Sequence, residues 1–92
     1  EIAQLARTIV ETFLSHQPTL GDGVDAALAA GSAEELRRAA HGLRGALLMV
    51  GAAEAAAVAE QLEHARLDDA PSLRQRLVVE LARAGAELVL AR

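Results

Sequence analysis

The residue of this chain most suited to chemistry is His41. It stands in the run Ala40-His41-Gly42-Leu43-Arg44-Gly45-Ala46-Leu47-Leu48-Met49-Val50-Gly51. Imidazole has an unperturbed pKa near 6.5, so much of it is neutral and nucleophilic around pH 7. In a helix, Arg37 lies one turn before His41, and Arg38 and Arg44 lie three residues to either side of it, so three guanidinium groups flank the ring. They would stabilise the negative charge of a phosphoryl group attached there. Gly45, one turn after His41, removes side-chain bulk where an attacking carboxylate and its metal would approach. A helical glycine costs roughly 1 kcal/mol relative to alanine, so Gly42 and Gly45 point to a need for space rather than for stability. Leu48 and Met49 carry the face onward as apolar surface, and Leu48 is the candidate for partner docking. A lone histidine on a helix is ordinarily just solvated. What distinguishes His41 is its company of Arg44, Gly45 and Gly51.

The parts that activate phosphate are missing. Phosphoryl transfer needs positioning and charge neutralisation, commonly by a metal ion, yet there is no glycine-rich phosphate loop and no clear acidic cluster for Mg²⁺. Such a chain would carry the group without activating it, and a partner would supply the acidic residues and the metal. Glu60, Glu63 and His64 form a conceivable metal set, but adjacent residues on a helix point in different directions. No metal or other cofactor is expected in this chain. His16 and His64 read as structural or solvated; His16 lies near a helix C-terminus, where a cation is favoured.

The elements that position this face follow from periodicity. Ile2, Leu5, Ile9, Val10, Phe13 and Leu14 recur at helical spacing and predict a first helix over residues 2–16. Gln17-Pro18 interrupts it, and Pro18 opens a short second helix with a stripe of Leu20, Val24, Ala27 and Leu28, capped by Gly31. Ser32 and Glu35 fit a capping box at the head of a third helix. Leu36, Ala40, Leu43, Leu47 and Val50 form its inward stripe, which turns His41 outward. Gly51 ends it. A fourth helix is expected over residues 52–67, with Ala55, Val58, Ala59, Leu62 and Ala65 inside. The fifth begins around Asp69, Ala70 and Pro71 and is lined by Leu73, Leu77, Val78, Leu81, Ala84 and Leu88. Short connections make sequential helices antiparallel. The expected fold is an all-α, antiparallel up-down four-helix bundle with a short additional helix at the N-terminal end, one domain over residues 1–92.

Composition agrees. The chain has 92 residues, 52% of them hydrophobic, with one Phe and neither Trp nor Tyr, which favours helix over sheet. It has no cysteine, so disulfides and thiolate metal sites are excluded. The net charge of −4 and the lack of stacking aromatics argue against nucleic acid as a partner. No apolar run approaches the roughly 20 residues that span a bilayer. The surface shows no long apolar seam outside the bundle core, so a monomer without direct membrane contact is expected.

The run from His41 to Gly51 resembles the histidine phosphotransfer (HPt) motif, His-x-Leu-Lys-Gly-small-small-x-x-apolar-Gly. Leu36-Arg37-Arg38-Ala39-Ala40, the pair Leu62-Glu63 and the helical layout resemble that family too. Arg44 stands where the family usually has lysine and keeps the charge on a planar fork. Leu47 stands where a small residue is usual, and the alanines of the fourth helix would make room for it. The resemblance implies a phosphorelay carrier of two-component signalling, moving phosphate between receiver-domain aspartates. His41 would be phosphorylated on its distal nitrogen, Arg44 would be the neighbouring cation, and Glu63 would orient the imidazole. Arg37, Arg38, Gly45 and Leu48 would meet the partner. It also implies a carrier rather than an enzyme, with Mg²⁺ in the partner receiver. A cytoplasmic domain excised from a bacterial hybrid sensor kinase is the expected parent context. The competing reading is a degenerate helical module that docks receivers or kinases without phosphotransfer.

Overall fold

A computed structural model describes residues 2–16 and 19–91. Five helices follow in order: α1 (Ile2–His16), α2 (Asp22–Ala30), α3 (Ala33–Met49), α4 (Ala53–Glu63) and α5 (Ala70–Ala91). The bundle measures 43 × 20 × 18 Å. The short helix of the N-terminal end is α2, with nine residues. Helix α3 packs against both α2 and α4, and α4 packs against α5. Cross-helix pairs fix the directions. His41 meets Glu63, and Arg44, further along α3, reaches back to Glu60 as well as to Glu63, so α3 and α4 run antiparallel. Arg76 Nη1 donates to Gln61 Oε1 at 3.0 Å, while Ala84 and Glu87 share a groove with Ala52 and Glu54, so α4 and α5 run antiparallel too.

The core is one cluster drawn from all five helices. Leu36, Ala40, Leu43 and Leu47 enter from α3; Ala55, Ala56, Val58, Ala59 and Leu62 from α4; Leu77, Leu81 and Ala84 from α5; Val24 and Ala27 from α2; and Phe13 from α1. The α3 stripe is buried as its spacing predicts, with Val50 packed at its edge. Leu47 is wholly buried in the same cluster as Ala55, Ala56 and Ala59, whose small side chains leave it room.

Two turns are set by glycine in the left-handed region. Gly31 (φ 66°) sends its N–H to Leu28 O, and the next N–H, of Ser32, goes to Ala27 O. Gly51 (φ 78°) does the same with Leu48 O, followed by Ala52 N–H to Leu47 O. Both are Schellman closures, which satisfy the last carbonyls of a helix at a position other residues avoid. Ser32 Oγ then accepts from Glu35 N–H at 3.1 Å. Only this half of the expected capping box can form, because the Ser32 N–H is already given to α2.

The structure corrects several expected boundaries. Helix α2 begins at Asp22 behind Gly21, and the expected role of Gln17-Pro18 lies outside the described residues. Helix α4 stops at Glu63 rather than at residue 67. In a continuous helix Leu67 would stand about 140° round the axis from Leu62, facing away from the core. The chain instead turns over residues 64–69, with His64 and Ala65 donating to Gln61 O and Leu62 O, and Leu67 packs back onto the core. On α5, Val78 is exposed, because its direction lies off the Leu77–Leu81–Ala84 line. On α1, Leu5 is also exposed, and the core takes Phe13 and Leu14 from the end of that helix. The side chains of Ile2 and Val10 lie outside the described residues.

Candidate functional site

The α3–α4 hairpin builds the site. Inward Ala40 and Leu43 leave His41 on the outer side of α3, and its side chain is 61% exposed. Across the hairpin, Leu62 points wholly into the core, so its neighbour Glu63 sits at the core's margin with its side chain 11% exposed. The two meet: His41 Nδ1 lies 2.8 Å from Glu63 Oε1. Arg44 joins from α3, its Nε 3.6 Å from Glu63 Oε2 and its Nη1 3.8 Å from Glu60 Oε1.

Electrostatics keeps Glu63 ionised. Burial pushes its carboxyl pKa up, but the His41 hydrogen bond and the positive charges of His41, Arg44 and His64 together outweigh that and leave it below the ordinary carboxyl value. An ionised carboxylate only accepts hydrogen bonds. The Nδ1 of His41 is therefore the donor, and in the neutral ring the lone pair lies on Nε2. Among the described residues no hydrogen bond engages Nε2. The second oxygen, Glu63 Oε2, is buried without a hydrogen bond, since Arg44 stands beyond bonding distance.

The surroundings of the ring are open. A Cβ built on Gly42 or Gly45 would meet nothing within 4 Å. Leu48 and Met49, 58% and 73% exposed, lie further along the helix.

Of the residues expected here, the structure gathers His41, Arg44 and Glu63. Arg38 is directed elsewhere: its Nη2 donates to Glu34 Oε1 at 2.9 Å in an exposed pair one turn apart. Arg37 is exposed on α3. Of the arginines expected to flank the ring, Arg44 stands beside its Glu63 partner and Arg38 is paired with Glu34. His16 is spent locally, its Nδ1 donating to Thr12 O at 2.9 Å. Glu60 was not expected to belong to the site. Its signal was available in the spacing, three residues before Glu63 on the same face of α4. Among the described residues no group of three or more His, Cys, Asp or Glu side chains is arranged to hold a metal ion, so Glu60, Glu63 and His64 do not form the set their order allowed. No described helix is long and apolar enough to cross a membrane.

An all-helical bundle with an outward imidazole set on a carboxylate has the build of a helical phosphocarrier. The family model of the Hpt domain matches residues 8–87, and the chain belongs to that family. Hpt domains are phosphotransfer carriers of two-component signalling; they work with receiver domains and are carriers rather than enzymes. Comparison with curated proteins and with solved structures finds no match.

Proposed function

We propose that His41 is the phosphoryl acceptor of this Hpt domain, taking the group from a receiver-domain aspartyl phosphate and passing it to another receiver aspartate. The observation that carries this reading is the 2.8 Å contact of His41 Nδ1 with Glu63 Oε1, which leaves the Nε2 lone pair on the exposed side of the ring. In the forward step Nε2 attacks phosphorus, the N–P bond forms, and the P–O bond to the aspartate breaks with its electron pair leaving on the carboxylate. The ring keeps its Nδ1 proton and becomes cationic. Glu63, as the carboxylate bonded to that proton, stabilises the positive charge as it develops. Arg44, three residues after His41, offers the opposite complement, a cation for the phosphoryl oxygens.

The receiver contributes the acidic residues and Mg²⁺ in this scheme. It approaches over the gap at Gly45, with Arg37, Arg38 and Leu48 in reach of the docked surface. We further assign the domain, over residues 1–92, as a monomer with no nucleic-acid or direct membrane partner. The test is incubation with a phosphorylated receiver. Wild type takes up label that is acid-labile and base-stable, and His41→Gln takes up none. Equal labelling of His41→Gln overturns the assignment and leaves the docking-module reading.

A further inference from the structure

We infer that Glu60 is a positioning residue for phosphoryl transfer. It holds the Arg44 guanidinium toward α4 while His41 is unmodified, and so sets how far the equilibrium between receiver aspartate and His41 lies toward the histidine. The inference rests on His41 being the acceptor. It concerns a residue that the acceptor chemistry itself does not require.

The geometry around Arg44 carries the argument. Its guanidinium stands between two carboxylates of α4, at 3.6 Å from Glu63 Oε2 and 3.8 Å from Glu60 Oε1. Charge-assisted N–H···O bonds run about 2.7–2.9 Å, so Arg44 is attracted to both and fastened to neither. The two carboxylates have different commitments. Glu63 is nearly buried and bonded to the ring, and its contact survives transfer because Nδ1 keeps its proton. When the guanidinium turns to a phosphoryl group on Nε2 it leaves both carboxylates, but Glu63 keeps the His41 Nδ1 proton as a partner, whereas Glu60, 56% exposed, gives up its ion pair with Arg44. Glu60 and the phosphoryl group thus compete for one cation.

The balance of the step shows where this competition acts. Before transfer the dianionic phosphoryl group is on the receiver, and Arg44 neutralises Glu60. After transfer the N–P bond has replaced the aspartyl P–O bond, the receiver carboxylate is free, and Arg44 neutralises the phosphoryl group while Glu60 returns to solvent. Removing the Glu60 charge therefore favours the phosphohistidine side. Exposed ion pairs set the scale at about two- to fivefold in the equilibrium ratio.

The experiment uses a receiver domain phosphorylated with acetyl phosphate and shown to label the wild-type chain. The ratio of phosphohistidine to aspartyl phosphate is measured at equilibrium for wild type, Glu60→Gln, Arg44→Gln and the double variant, with thermal melts to confirm equal folding. Glu60→Gln is expected to raise the ratio two- to fivefold, and the rise is expected to fall below half that size in the Arg44→Gln background. An unchanged ratio, or a rise that persists at half size or more without Arg44, overturns the inference. His41→Gln, run alongside, separates the two levels. Label on that variant defeats the acceptor assignment, whereas an unlabelled control with a flat Glu60→Gln result defeats only the role of Glu60.

Discussion

The carboxylate of Glu63 does two things that one substitution separates. It fixes which imidazole nitrogen carries the proton, and it supplies charge as the ring becomes cationic. Glu63→Gln retains an accepting oxygen but loses the charge. Hydrogen bonds to charged groups are worth about 1.5–3 kcal/mol, so transfer to His41 should slow by roughly 10- to 100-fold, read as the initial labelling rate. The same residue gives a pH signature in stability. Its folded-state pKa lies below the ordinary value of 4.5, so the unfolded chain takes up the proton more readily. The stabilisation from ionised Glu63 is complete above that ordinary value and is lost as the pH falls through the lowered one. The urea midpoint of wild type should exceed that of Glu63→Gln at neutral pH, and the gap should close on strong acidification. A constant gap across that range would rule out the linkage. At this scale the spacing along the α3 stripe made His41 and Arg44 legible, whereas Glu63 was legible only through the resemblance of the Leu62-Glu63 pair to the family. For Glu60 the sequence offered only the three-residue spacing to Glu63, since the contact with Arg44 depends on the register of α3 against α4 and on where a long guanidinium arm comes to rest.

Helix α3 carries two kinds of glycine that respond oppositely to substitution. Gly45 is helical and a Cβ there would meet nothing within 4 Å. Gly45→Ala should therefore stabilise the fold by up to about 1 kcal/mol, measured by denaturant unfolding. Gly45→Lys should keep the helix yet depress labelling by a receiver, because the long side chain fills the approach to the ring. Normal transfer by Gly45→Lys would show that the gap serves no partner. Gly51 instead ends α3 with φ 78°, a conformation that L side chains avoid. Open space around it does not help, and Gly51→Ala should destabilise the fold by about 1 kcal/mol in the same assay. Helix identities were readable from periodicity, and α3 ends within a residue of expectation. The end of α4 was not. Leu67 is apolar and looked like a continuation, but five residues from Leu62 is the wrong rotation for the core, and only the packed bundle reveals that the chain must turn to bury it. The second half of the capping box failed for a similar reason, since the Ser32 N–H had a prior claimant in α2.

At the scale of the whole molecule, function and closure lie on different parts of the bundle. The α3–α4 hairpin holds His41, Arg44, Glu60 and Glu63, whereas α2 is clasped to α5 by Arg74, whose Nε and Nη2 donate to Asp25 Oδ1 and Oδ2 at 2.8 and 3.1 Å. The clasp needs Gly21. A Cβ at that position would collide with the Arg74 guanidinium, although the backbone there (φ −92°) would accept alanine. Arg74 is the far end of a flexible side chain, so Gly21→Ala should push it aside rather than unfold the chain. The bidentate pair is then lost, at a cost of about 1–2 kcal/mol for a partly buried charged contact. Asp25→Asn should remove most of the same interaction from the other side. Because both changes act on one contact, their costs should not add: the double variant should unfold close to the weaker single variant. Additive costs would mean that Gly21 serves the start of α2 by itself and not the clasp. Labelling of His41 per folded molecule should be unchanged in all three variants, because no member of the His41–Glu63–Arg44–Glu60 set touches Arg74 or Asp25 in the described residues. A fall in labelling that exceeds the fall in folded fraction would instead mean that closing α2 onto α5 is transmitted through α3 to the orientation of the imidazole.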